Sequence, residues 1–126
     1  MDKVAIGLTA PNDQFVGQLM ESGLFGQEME AAKLAMSIAI VKKSSLGDVQ
    51  GAGTKWNVGS FDRDGQLKRL MGVLYPTVDE PYRVMEFLIN TGLKIMADAC
   101  RNASNIDVRR LLALAESARD LSAPRA

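Results

Sequence analysis

The sequence contains no histidine and a single cysteine among its 126 residues. Histidine is the side chain whose ordinary pKa lies closest to neutral, so the commonest general acid–base group is missing. Cys100 can form no internal disulfide and has no imidazole to activate it. It reads as a small buried hydrophobe in a reducing compartment. Charge of one sign is also lacking: 15 Lys and Arg balance 15 Asp and Glu. A dedicated nucleic-acid binder usually carries a basic excess, so any such contact would need a local patch. No apolar run approaches the roughly 18 residues that cross a membrane. Met1-Asp2-Lys3 leads into a short apolar stretch that does not read as an export signal. The expected location is the cytoplasm, with no membrane contact. Asn102-Ala103-Ser104 matches a glycosylation sequon and is read as coincidence in that compartment.

What is present suits one compact domain, or a small module with an extension. Hydrophobic residues make up 47% and charged residues 24%, enough for a core under an ordinary surface. Val4, Ile6 and Leu8 alternate with Lys3, Ala5, Gly7 and Thr9, the period of a half-buried strand. A lone strand leaves backbone groups unpaired. No clear second strand follows closely, so a copy of itself is the expected partner. Pro11 opens a helix, with Asn12 and Asp13 at its positive end. Phe15, Val16, Leu19 and Met20 form the apolar stripe, and Ser22-Gly23 ends it. A second helix is expected from Gln27 to about Lys42. It is apolar on nearly all sides, which again points to burial in a dimer.

Residues 43–61 are rich in Gly and Ser and read as a loop, with Trp56, Val58 and Phe61 as apolar anchors. About three helices should follow. Asp62 or Asp64 can cap the first, whose apolar face is Leu67, Leu70, Met71 and Leu74. Thr77 or Asp79 can cap the next, with Pro81 in its first turn. Its buried side is Tyr82, Met85, Leu88, Ile89, Leu93 and Met96. Ser104 and Asp107 resemble a capping box for the last, whose face is Val108, Leu111, Leu112, Ala115 and Ala118. The fold class is therefore mainly α, in three parts: 1–42, a strand–helix–helix dimerisation unit; 43–61, the loop; 62–121, a helical extension on the same core.

Most motifs that suggest chemistry fail on spacing. Residues 47–55 resemble a phosphate loop, but the order is Gly-Thr-Lys where Gly-Lys-Ser/Thr is needed. Asp62-Arg63-Asp64-Gly65 resembles a calcium loop, but glycine comes too early and no ligands follow it. Most of the methionines, Met29, Met36, Met71, Met85 and Met96, sit at apolar helical positions without a Met-x-x-Met cluster. No catalytic residue, metal or cofactor is assigned, and the chain is read as a non-enzyme.

The charges are unevenly spread. Residues 1–42 carry three bases and five acids, residues 43–75 five bases and three acids, and residues 76–126 seven of each. A basic excess thus lies around the loop and the helix after it. Lys42, Lys43, Lys55, Lys68 and Arg69 are candidates for phosphate, and Trp56 for stacking on a base. The competing reading of Trp56 is an anchor in the core.

The run Lys3-Val4-Ala5-Ile6-Gly7-Leu8-Thr9-Ala10-Pro11, the turn Ser22-Gly23-Leu24-Phe25-Gly26 and the helix through Glu30, Ala31 and Leu34 together resemble the ribbon–helix–helix family of antitoxins and repressors. The resemblance covers about a third of the chain. It implies two strands paired across a dimer, with Val4, Ile6, Leu8, Met36 and Ile40 in the dimer core. It also implies that outward strand residues meet DNA bases. By position these are Lys3, Ala5, Gly7 and Thr9, of which Lys3 and Thr9 can read a base. Ala5 and Gly7 lack the side chains for it, and Glu28 and Glu30 at the second helix would repel phosphate. Residues 55–62, Lys-Trp-Asn-Val-Gly-Ser-Phe-Asp, are also similar to small accessory proteins of bacterial DNA-modification and anti-phage loci. The expectation is a dimeric, non-catalytic DNA-binding regulator, or an accessory subunit of a bacterial defence or toxin–antitoxin system. The alternative is a protein–protein adaptor that uses the helical extension to bind a larger partner and does not touch DNA.

Overall fold

The computed structural model describes residues 1–100, 107, 109–114 and 116. Strand β1, Ala5–Leu8, leads into helix α1, Ala10–Glu21, and helix α2, Glu28–Val41. Strand β2, Gly53–Asn57, follows, then one helical turn α3, Val58–Phe61, helix α4, Gln66–Leu74, and the long helix α5, Pro81–Ala99. Residues 109–114 are again helical. The described residues are thus mainly helical with one small antiparallel sheet.

Local chemistry accounts for most boundaries. The Thr9 hydroxyl accepts from the Asn12 amide at the start of α1, and Pro11 sits in the first turn, where no donor is lost. Gly23, at φ 78°, ends the helix in the left-handed region. At the end of α2 the same left-handed position falls to Lys43, with φ 54°. Asp62 and Asp64 both cap α4: Asp62 accepts from the Leu67 and Lys68 amides, and Asp64 from Gln66. The cap of α5 differs from expectation. Thr77 and Asp79 do not supply it; Asp2, eighty residues away, accepts from the Tyr82 and Arg83 amides at 3.0 and 3.1 Å.

The strand expectation needs the larger correction. β1 pairs antiparallel with β2 of the same chain, inside the stretch read as a loop. Ile6 faces Trp56 and Gly7 faces Thr54, so Lys55 is the extra residue of a bulge. Glycine content and the bulge hide β2 from a period-two search. Gly7 is needed for close approach, since a Cβ there would stand 2.7 Å from the Gly53 carbonyl oxygen.

The core lies between β1, α1, α2 and α5. Ile6, Val16, Leu19, Met85, Leu88, Ile89, Leu93 and Met96 are fully buried in it. α2 and α5 make the most extensive helix contact. They pack closely because α2 offers Ala31, Ala32, Ala35 and Ala39, all buried, and α5 offers Gly92. A Cβ on Gly92 would fall on the Ala35 backbone. The apolar α2 is therefore buried within its own chain. Cys100 is buried, as expected. Of the last helix's expected face, Leu111 is buried but Leu112 is 58% exposed. Ser104, Val108, Ala115 and Ala118 lie outside the residues described.

Candidate interaction surface

β1 has two edges. One meets β2. The other meets polar side chains from α5 that the sequence reading did not single out. Gly7 N–H donates to Glu86 Oε2 at 2.8 Å, and Asn90 Nδ2 donates to the Gly7 carbonyl at 3.0 Å. Thr9 N–H donates to Asn90 Oδ1 at 3.1 Å, and Asn12 Nδ2 donates to the same oxygen at 2.8 Å. Lys3 Nζ closes the cluster on Glu86 at 2.8 Å. Glu86, Asn90 and Asn12 are all buried, and among the described residues no buried side-chain polar atom lacks a partner. Asn90 thus mimics a short strand along the edge of β1. The signal in the sequence was Glu86 and Asn90 at i, i+4 within the apolar stripe of α5.

This arrangement consumes several DNA-contact candidates. Lys3 is bound to Glu86, and Thr9 is the cap of α1. Lys55 Nζ lies 2.7 Å from Asp13 and 3.1 Å from Glu28. The hydrogen bond to Asp13 raises its pKa above the usual lysine value, and Glu28 adds to the effect against the opposing pull of burial. Trp56 is half-buried and packs against the core, its ring centroid 5.5 Å from that of Phe61. Phe61 also lies under Lys33 Nζ, at 5.4 Å. Lys42, Lys43, Lys68 and Arg69 are exposed. The residues assigned to a dimer core separate likewise. Ile6, Leu8 and Met36 are buried inside one chain, Ile40 is half-buried, and Val4 is 76% exposed.

Among the described residues, three of the exposed large apolar side chains lie on α4. Only Met71 of this helix is buried, with Leu67 half-buried beside it. Leu70, Val73 and Leu74 are 41%, 77% and 36% exposed. Leu70 and Leu74, expected to face the core, therefore face outward, joined by Val73. The apolar arc of this helix is wider than the face it packs on its main neighbour, α5. Asp62 holds α4 in place. Its carboxylate, 6% exposed, caps the helix and accepts from the Tyr82 hydroxyl at 3.0 Å. Burial, reinforced by Asp62, pushes the Tyr82 pKa up to about 12. Burial alone raises that of Tyr75.

On the far flank of α4 a groove of about 340 Å³ opens against the chain leading to α5, lined by Lys68, Gly72, Tyr75, Val78 and Pro81. A second hollow, of about 470 Å³, lies between the start of α1, residues 48–50 and α5. Among the described residues no three His, Cys, Asp or Glu side chains converge on a point that could hold a metal ion. No described helix is long and apolar enough to cross a membrane. Comparison with protein families, curated proteins and solved structures finds no match to this chain.

Proposed function

We propose that this protein is a non-catalytic adaptor that binds a partner protein through the exposed stripe of α4. The observation that carries this reading is the outward position of Leu70, Val73 and Leu74 on a helix anchored at its start by Asp62. Three clustered aliphatic side chains on a fixed helix favour a protein partner. The DNA reading has less support, because Lys3, Thr9, Lys55 and Trp56 are spent on internal contacts. The ribbon–helix–helix resemblance belongs to the proposal in a limited form: the order of β1, α1 and α2 agrees with it. A ribbon of two β1 strands would have to displace Glu86 and Asn90 from Gly7 and Thr9. An accessory subunit of a bacterial DNA-modification or anti-phage system is the setting this reading suggests.

The test compares the wild-type chain with Val73→Glu. Val73 is the most exposed apolar residue of α4, so the variant should fold, which circular dichroism checks. A discrete protein retained from the source cells by wild type, lost with Val73→Glu and rebound from purified components is the expected result. A parallel gel shift uses duplex DNA at low salt and micromolar protein. Retention of the duplex that disappears when Lys42, Lys43, Lys68 and Arg69 become Ala would overturn the adaptor reading in favour of DNA.

A further inference from the structure

The hollow between the start of α1, residues 48–50 and α5 holds about 470 Å³, within the ~300–1,000 Å³ of small-molecule sites. Three segments distant in sequence build it, and the α4 stripe takes no part. The first turn of α1 gives Pro11 and Asn12, the chain before β2 gives Val49, and α5 gives Phe87, Thr91 and Ala97. A Cβ on Gly47 would stand 3.2 Å from the Phe87 ring, so the chain before β2 lies close on α5 and walls the hollow there.

The floor is polar, and most of it is spent on internal bonds. Asn90 Nδ2 donates to the Gly7 and Glu86 carbonyls, and Asn90 Oδ1 accepts from Thr9 and Asn12. Asn12 differs. It is 8% exposed, and its Nδ2 donates to Asn90 Oδ1 at 2.8 Å and to the Asn90 carbonyl at 3.1 Å. These two bonds fix the carboxamide of Asn12, yet no donor among the described residues reaches its Oδ1. No described side-chain polar atom is both fully buried and without a partner, so Oδ1 meets open space, and the space Asn12 lines is the hollow. A held acceptor with apolar walls beside it gains most from a donor that arrives with a ligand. The rim charges, Asp48, Lys94 and Asp98, are exposed and of both signs, so they do not select a charged ligand. We propose that the hollow binds a small, largely apolar molecule that presents one N–H or O–H donor to Asn12 Oδ1. Phe87, Val49 and Pro11 pack against its apolar body. An aromatic heterocycle with a ring N–H is the simplest molecule of that class.

Indole and benzofuran test this on the full chain. They are alike in size and shape, and only indole carries a donor, its ring N–H. In proton–nitrogen correlation spectra, millimolar indole should shift the amides of Asn12, Phe87 and Thr91 in a saturable way. Benzofuran should bind about fivefold more weakly or worse, because it leaves Asn12 Oδ1 unpaired. Asn12→Ala would also cut the link to Asn90, so the blocking variant is Thr91→Met, at a half-buried position of α5 on the hollow. It should abolish the indole shifts and keep the wild-type melting temperature. Val73→Glu should leave indole binding unchanged, which separates this site from the adaptor reading. Absence of saturable shifts, equal binding of benzofuran, or shifts centred on the groove beside Tyr75 overturns the proposal. So does indole binding retained by a folded Thr91→Met.

Discussion

Gly92 and Gly17 are both helical glycines, yet replacing them should have opposite effects. Gly92 lies where α5 meets the Ala35 backbone, and a Cβ there has no room. Gly92→Ala should force α2 and α5 apart and lower stability by about 2 kcal/mol or more. Nothing lies within 4 Å of a Cβ built at Gly17. Gly17→Ala should raise stability by about 0.5–1 kcal/mol, mainly by restricting the unfolded chain. Urea unfolding midpoints of the two variants decide this; a tolerated Gly92→Ala would contradict the close crossing. The tyrosines offer a second check. The fold favours the neutral form of Tyr82, whose pKa is raised to about 12 by burial and then by Asp62. Its contribution is fully present below pH about 10, the ordinary tyrosine value, and is lost as pH rises through about 12. The raised Lys55 pKa acts in the same direction, since its pairing with Asp13 fades once the ammonium loses its proton. Stability should therefore decline at the alkaline end, and Tyr82→Phe should lessen that decline. Phenolate absorbance should titrate above pH 10 in the native protein and near 10 in urea.

At the scale of elements, Asp62 ties the start of α4 to Tyr82 on α5. Asp62→Ala removes the acceptor for two helix amides and the Tyr82 hydroxyl. The expected cost is about 2 kcal/mol, with loss of helical signal and of partner binding together. Asp62→Asn should retain part of both, and an unchanged melting curve for Asp62→Ala would show that α4 is held by packing alone. The elements were legible to different degrees. Helices α1, α2 and α5 were readable because each carries an apolar stripe and Pro11, Gly23 and Pro81 punctuate the chain. Strand β2 was not, because Gly53 and a bulge at Lys55 leave no alternation to detect. The outer face of α4 was misread because apolar spacing reports a face without reporting whether anything covers it. The buried Glu86 and Asn90 were missed because a polar residue in an apolar stripe gives no hint of a strand edge eighty residues away.

At the scale of the whole molecule, two reasons for expecting a second copy are met within one chain. β1 finds its partner in β2, and α2 is buried by α1 and α5. Light scattering at micromolar concentration should therefore give the single-chain mass of 13.6 kDa. A doubled mass that disappears when Val4, the exposed residue beside β1, becomes charged would instead favour a paired ribbon. The sequence by itself determined the mainly helical class, the approximate helix positions and the lack of histidine chemistry. Periodicity, caps and composition are local properties, and they carry that information. Tertiary structure alone decided which partner β1 takes, which basic residues stay open and which apolar residues stay uncovered. Each of these depends on groups brought together from distant parts of the chain, as when Asp2 caps α5 and Asn90 fills the edge of β1.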